Sequence, residues 1–274
     1  MLENTYVFIL SNAKYDAPIE STGYTLAKHL SKNNRVFYIE YPATIKDYFR
    51  LKKSPEFKKK KDLFSESSDG LLNTKNPNLS ILITPLLLSI NFFPEGKLYR
   101  SLLRYNENKI VKRIQTILKK EKITDFIFIN SFNIHYPSIG SLLKPRLNVY
   151  HCVDPIIEDY DAKHGHVSEE IIIRECDLVV CTSRQLYLEK SEMHPYTYFI
   201  PNAADFKHSE KALQDSTPIY SELHHLKRPI VGYFGNIERR LDYKMIHEVM
   251  RMNLDKTFVF VGPVEPEFLK KISP

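Results

Sequence analysis

The chain has 274 residues, 43 % hydrophobic and 26 % charged, an ordinary globular composition with enough apolar material for one large domain or two. Its formal net charge of +6 has a single source, because between positions 46 and 61 eight bases (Lys46, Arg50, Lys52, Lys53, Lys58, Lys59, Lys60, Lys61) stand against two acids, Asp47 and Glu56. The rest of the chain is balanced, which excludes a basic field over the whole surface.

In chain order, the first five residues lack a basic region and the apolar run 6–10 soon gives way to polar residues, so the start does not read as a signal peptide. Residues 6–10 predict a strand. Gly23, Leu26, Ala27 and Leu30 then share a helical face, with Ser21 or Thr22 available as the cap. A second strand is expected at 36–40. Residues 41–78 are polar, Lys-rich and Ser-rich, and read as a long excursion, partly ordered at best. Its basic portion carries Tyr48, Phe49, Leu51 and Phe57 between the charges. That mix reads as a mobile solvated loop, as an interfacial segment on an anionic membrane, or as a nucleic-acid contact. The expectation carried forward is peripheral contact with the inner face of the membrane through 46–61, helped by Leu86, Leu87, Leu88, Phe92 and Phe93, with no nucleic acid.

Further strands are expected at 79–84, 126–130, 148–152, 178–182 and 198–200, several continuously apolar, as strands buried on both faces are. The apolar stretch 81–93 is broken by Pro85, Ser89 and Asn91 and falls short of the roughly 20 residues of a membrane-spanning helix. Ile110, Val111, Ile114, Ile117 and Leu118 form a helical stripe, with Lys112, Arg113, Lys119 and Lys120 opposite. The alternation predicts an α/β fold, with a doubly wound parallel Rossmann-like domain over 1–205. Cys152, Cys176 and Cys181 form an odd set in apolar runs, with no paired CxxC, and read as reduced core residues of a cytosolic protein.

Residues 206–227 are polar, contain Pro218 and His224-His225, and read as a linker without a strand. A second strand–helix–strand unit over 228–274 comprises a strand at 230–234, a turn at Gly235, a helical face of Leu241, Met245, Ile246 and Val249, and a return strand at 258–262. Another helix is expected near 266–272. Two strands cannot bury both faces of a sheet, so this domain reads as incomplete: it docks on the first, or the natural chain continues past Pro274.

Open α/β sheets bind ligands beyond the carboxyl ends of their strands. There the chain places Ser11, Asn12, Asn130, Ser131, Phe132, His151, Asp154, Thr182, Ser183, Asn202, Gly235, Asn236 and Gly262, a polar set suited to a hydroxyl-rich ligand. Ser183 and Asn202 also suit caps, and Asp154 before Pro155 also suits a turn. The Gly235 turn aims backbone amides and a helix start at one point, and Arg239 and Arg240 can grip phosphate oxygens, which points to a diphosphate ligand. The His164-Gly-His166 and His224-His225 pairs lack a second pair at ligand spacing, so no metal is expected. No GxGxxG or Walker A motif occurs.

The motif series Asn148-Val-Tyr-His-Cys-Val-Asp154, Glu175-Cys-Asp-Leu-Val-Val-Cys-Thr-Ser183, Ile200-Pro-Asn-Ala-Ala-Asp205, Arg228-Pro-Ile-Val-Gly-Tyr-Phe-Gly-Asn-Ile…Leu-Asp242 and Phe258-Val-Phe-Val-Gly-Pro263 resembles the family-4-like GT-B glycosyltransferases of bacterial surface-polysaccharide and teichuronic-acid synthesis. The resemblance is clear over 148–263. It implies two Rossmann-like domains, an acceptor-side one over 1–205 and a donor-binding one from 228. It implies a hexosyl-type, retaining transfer from a nucleotide-diphosphate sugar to a lipid-linked or oligosaccharide acceptor, without a cofactor, metal or dedicated protein nucleophile. By position, Gly235, Asn236, Arg239, Arg240, Asn202 and Gly262 would hold the donor, and Ser131, Phe132 and Ser183 the acceptor. His151, Asp154 and Arg240 would form the reacting centre. Ala203 stands where the family has Gly, Asn236 replaces a commonly basic residue, and the later donor-side elements with their paired glutamates are missing. Weak or absent catalysis by this polypeptide alone is therefore expected, and a non-catalytic glycan-, lipid- or partner-binding fragment is the alternative.

Overall fold

The computed structural model describes residues 2–268 except 158, 205, 215 and 267. The chain forms two compact units, Met1–Ala203 and Ala204–Pro274.

In the first unit eight strands form one sheet. They are β1 (Tyr6–Ser11), β2 (Arg35–Ile39), β3 (Leu71–Asn73), β4 (Leu79–Leu82), β5 (Phe126–Ser131), β6 (Leu147–Cys152), β7 (Leu178–Cys181) and β8 (Thr197–Phe199). Their spatial order is β3-β4-β2-β1-β5-β6-β7-β8, parallel except for the edge strand β3. The helices are α1 (Thr22–Leu30), α2 (Ile45–Leu51), α3 (Pro55–Lys60), α4 (Lys97–Lys120), α5 (Ile139–Leu143), α6 (Asp159–Glu175) and α7 (Arg184–Ser191). Each strand expected in this unit is present. The three-residue β3 was not expected, because it is too short to show a pattern.

Period-two alternation splits each central strand between two cores. Val7 and Ile9 join Val36, Tyr38, Ile127 and Ile129 on one side, whereas Phe8 and Leu10 join Phe37, Ile39 and Phe128 on the other, under Ile110, Ile114 and Ile117 of α4. The strands therefore read as unbroken apolar runs because both faces are covered, and each such side chain contributes about 1.5–3 kcal/mol on burial. Cys152, Cys176 and Cys181 are free and buried in a third cluster, around β6 and β7.

The excursion is folded, which corrects the expectation of partial order. Thr44 and Asp47 make a reciprocal capping box that starts α2, and Ser54 caps α3. Lys60, 2 % exposed, lies 2.9 Å from Glu40 and 3.0 Å from Asp16. Burial pushes the Glu40 carboxyl up, and the Lys60 ammonium opposes that shift. Arg113, placed on the solvent side of α4 by its spacing, is instead buried and donates to the Ser65 and Ser68 carbonyls. Phe57 is core, Tyr48 and Leu51 pack on the same cluster, and Phe49 is exposed. The segment thus spends most of its apolar residues inward.

The second unit holds α8 (Phe206–Ser209), two short 3-10 turns (Glu210–Leu213 and Ser221–Leu223), β9 (Ile230–Phe234), α9 (Tyr243–Met252) and β10 (Thr257–Val261). β9 and β10 pair in parallel as a two-stranded sheet. Phe234, Val261, Met245 and Met252 are exposed, as expected of a sheet this small. The helix expected near 266–272 lies largely outside the described residues, as does Asp205.

Candidate functional site

Chain order runs outward from β1 to β2 and β4 on one side, then from β5 to β8 on the other, so the sheet reverses direction between β1 and β5. At such a switch point the strand ends diverge and leave a crevice. Ser11 and Ser131 are register partners across it, 1 % and 2 % exposed respectively. On β6 the His151 imidazole is buried, and its Nδ1 lies 3.1 Å from the Ser131 hydroxyl. Burial alone pushes His151 down to about 4, so the ring is neutral near pH 7. Its Nε2 has no hydrogen-bond partner among the described residues. Gly23 of α1 closes the crevice from above, since a Cβ there would sit 2.8 Å from the Ser131 Oγ and 3.0 Å from the Ser11 Oγ. Sequence reasoning found Ser131 and His151 but could assign Gly23 only to a helix face.

The other residues of the expected acceptor side have local duties. Phe132 sits in the left-handed region at φ 55 and packs its ring into the β6–β7 core. Its side chain faces apolar neighbours there. Asn130 and Asn133 hold this reversal with a reciprocal pair of hydrogen bonds, and the Asn133 Oδ1 is buried without a partner. The Ser183 hydroxyl caps α7 by accepting from the Leu186 N–H. Asp154 and Asn202 are exposed, in the segments after β6 and β8.

A second feature of the first unit had no signal in the sequence. A cleft of about 640 Å3 opens beside the carboxyl ends of β2, β4 and β5. Tyr41, Tyr99, Tyr136 and Tyr160 line it together with His135, and Lys46, Arg50 and Lys163 bring charge to it. His135 pairs with Asp161 at 3.1 Å and meets the Tyr41 ring edge-on at 5.5 Å. Four segments far apart in sequence supply these residues, so no motif could announce them.

In the second unit the turn at Gly235 is occupied by the protein's own hydrogen bonds. The Gly235 N–H donates to the Val261 carbonyl and the Ile237 N–H to Pro263, so both amides extend the β9–β10 ladder instead of awaiting an anion. The Tyr233 hydroxyl covers Gly235 and donates to the Asn236 carbonyl at 3.0 Å. Gly262, at φ 152, lies so close to the Gly235 carbonyl that any Cβ would collide with it. The helix starts only at Tyr243, capped by Asp242, whose carboxylate accepts from the Met245 N–H and opposes an anion there. Arg240 is ion-paired with Glu238, and Arg239 is exposed.

Of the His164-Gly-His166 pair, the first ring is engaged within the fold. His164 is buried, stacked on Tyr99 at 3.6 Å, with Nδ1 2.9 Å from Glu95. Among the described residues no group of three His, Cys, Asp or Glu is placed to hold a metal, and no helix is long and apolar enough to cross a membrane.

A doubly wound sheet followed by a second strand–helix–strand unit is the α/β fold of the GT-B glycosyltransferases, and solved structures share it. The sucrose-phosphate synthase of Thermosynechococcus elongatus is similar with a TM-score of 0.59 and 14 % identity, over 96 % of this chain and 64 % of that one. A trehalose-6-phosphate structure from E. coli, bound with UDP-2-fluoro glucose, gives 0.56 and 10 %, over 95 % and 65 %. An Anabaena protein, HepE, in complex with UDP and glucose gives 0.51 and 12 %, over 98 % and 64 %. The chain thus spans somewhat under two thirds of the length of these neighbours. No family model matches it, and no curated protein matches it in sequence.

Proposed function

We propose that the chain is the acceptor-side domain and the beginning of the donor-side domain of a glycosyltransferase. It would move a sugar from a nucleotide-diphosphate donor to a glycan or lipid-linked acceptor in bacterial surface-polysaccharide synthesis. The observation that carries this reading is the switch-point crevice, where a neutral buried His151 and the Ser131 hydroxyl face a polar strand edge on a GT-B fold. Nucleotide sugars or their parts are bound in two of the structurally similar proteins, which supports the donor class.

In this mechanism His151 orients a sugar hydroxyl through Nε2, while Ser131 on Nδ1 sets the ring. A base pushed down to about 4 is a poor proton carrier near neutrality, so its part is hydrogen bonding. Asp154 lies beyond the same strand, towards the acceptor. Positive charge from Arg239 and Arg240 stabilises the departing diphosphate in a retaining transfer. Since the Gly235 and Ile237 amides are in the ladder, the guanidinium groups carry more of that task, and Arg240 must first leave Glu238. Asn202, Asn236 and Gly262 complete the donor side, and no cofactor or metal takes part. Peripheral membrane contact at the cytoplasmic face would use the exposed Lys52, Lys53, Lys58, Lys59 and Lys61 with Phe49.

The test is a thermal-shift series of the folded chain with uridine, guanosine and adenosine diphosphates. Stabilisation by one of them, reduced by Arg239→Ala with Arg240→Ala, supports the transferase. A flat response from folded protein favours the second reading, a non-catalytic binding fragment, which the occupied amides of the Gly235 turn also favour.

A further inference from the structure

The cleft beside β2, β4 and β5 holds hydroxyl groups that no described residue of the protein bonds. Tyr99 and Tyr136 are 3 % and 5 % exposed, and Tyr41 lines the same space. None of these three phenols has a hydrogen-bond partner among the described residues, and none is a buried unpartnered atom, so each hydroxyl opens to the cleft. Burial pushes all three up, Tyr99 to about 12, so each keeps its proton to donate at neutral pH. They are free to donate to an acceptor bound in the cleft.

Charge says which acceptor. Three cations reach the cleft, Lys46, Arg50 and Lys163, against one lining carboxylate, Asp47. Asp47 is already committed to the α2 capping box and to Arg50 at 3.2 Å. Lys163 is held by the Asn91 and Phe92 carbonyls, which leave its charge unneutralised. The Lys46 ammonium has no partner among the described residues. Phe92 and Tyr160, 71 % and 61 % exposed, border the opening, where flat rings can stack on the apolar face of a sugar. A volume of about 640 Å3 suits a small ligand of one or two rings.

We propose that this cleft is a subsite for an anionic sugar, one bearing a phosphate or carboxylate group, whose charged oxygens accept from Tyr41, Tyr99 and Tyr136 beside Lys46. Its role as the acceptor subsite rests on the sugar-transfer reading; its chemistry does not.

The experiment is calorimetric titration of the full chain with glucose 6-phosphate, glucuronate, inorganic phosphate and glucose. At least one charged sugar should bind ten-fold or more tightly than glucose, and binding should weaken with added salt. Tighter binding of glucose 6-phosphate identifies phosphate as the recognised group, and tighter binding of glucuronate identifies carboxylate. Tyr99→Phe with Tyr136→Phe should lower the affinity ten-fold or more while leaving the urea midpoint in place, because neither hydroxyl bonds to the protein. Lys46→Gln should weaken charged ligands and leave glucose unaffected. The proposal is overturned if no charged sugar binds, if glucose binds equally well, or if inorganic phosphate alone binds as tightly as the sugar phosphate. It is likewise overturned if the double phenylalanine variant, still folded, binds like the wild type. A flat nucleotide response alongside intact anionic-sugar binding would remove the transferase and leave the subsite.

Discussion

His151→Asn tests the switch-point crevice through the dependence of stability on pH. The folded pKa of about 4 lies below the ordinary 6.5, so in this interval the unfolded chain binds the extra proton first. Stability from the neutral ring is fully present above about pH 6.5 and is lost as pH falls through the interval. The gap of about 2.5 units, at about 1.36 kcal/mol each, sets the loss near 3 kcal/mol. The 8 % exposure of His151 leaves little solvent to relieve it. Asparagine can still bond Ser131 but cannot take a proton. Urea titrations of wild type and His151→Asn from neutral pH to about pH 4 should give a stability difference that shifts by about 3 kcal/mol in favour of the variant on acidification. Other carboxylates titrate alike in both proteins and cancel. A difference that does not move with pH, or a His151 imidazole resonance titrating near 6.5, would refute burial as the cause.

Glu107 runs the opposite way: burial pushes it up to about 7, so the folded state keeps a proton the unfolded chain releases above about 4.5. Its stabilising share, present at acid pH, is lost as pH rises towards 7. Glu107→Gln should therefore stabilise the protein near neutrality by up to about 3 kcal/mol and have little effect near pH 4.5, read from urea midpoints. Lys60→Met should cost about 3–5 kcal/mol, because Glu40 is left buried without its partner, and Glu40→Leu in the same chain should restore most of it; an additive double variant would contradict the pairing. For the membrane, Lys58→Glu, Lys59→Glu and Lys61→Glu should release the chain from anionic vesicles with unchanged folding, and retention of binding would end that proposal. Lys60 stays untouched in that experiment, since it is a core ion pair rather than a surface charge. Gly262→Ala should separate the segments that follow β9 and β10, seen as lost protection of the Gly235 and Ile237 amides in hydrogen exchange.

Much of the first unit was legible before any coordinates. Runs such as 6–10 and 126–130 are apolar without a break, and only a strand covered on both faces requires that. The polar residues that end these runs, Ser11, Ser131 and His151, were likewise readable as a strand edge, because topology places ligands there. The fate of individual side chains was not legible. Arg113 and Lys60 have the spacing of solvated residues, yet each is buried by a partner distant in sequence, Ser65 and Ser68 for one, Glu40 for the other. The Gly235 turn meets the same limit. A strand–glycine–helix pattern does not say whether its amides are free, and here the Val261 and Pro263 carbonyls take two of them. The tyrosine cleft was invisible, since Tyr41, Tyr99 and Tyr136 meet only when β2, α4 and the segment after β5 converge. Local pattern records how the backbone repeats and which side chains avoid water, and that suffices for strands, helices and their order. Pairing across long sequence separations decides which donors and charges are consumed, and only the folded chain supplies it.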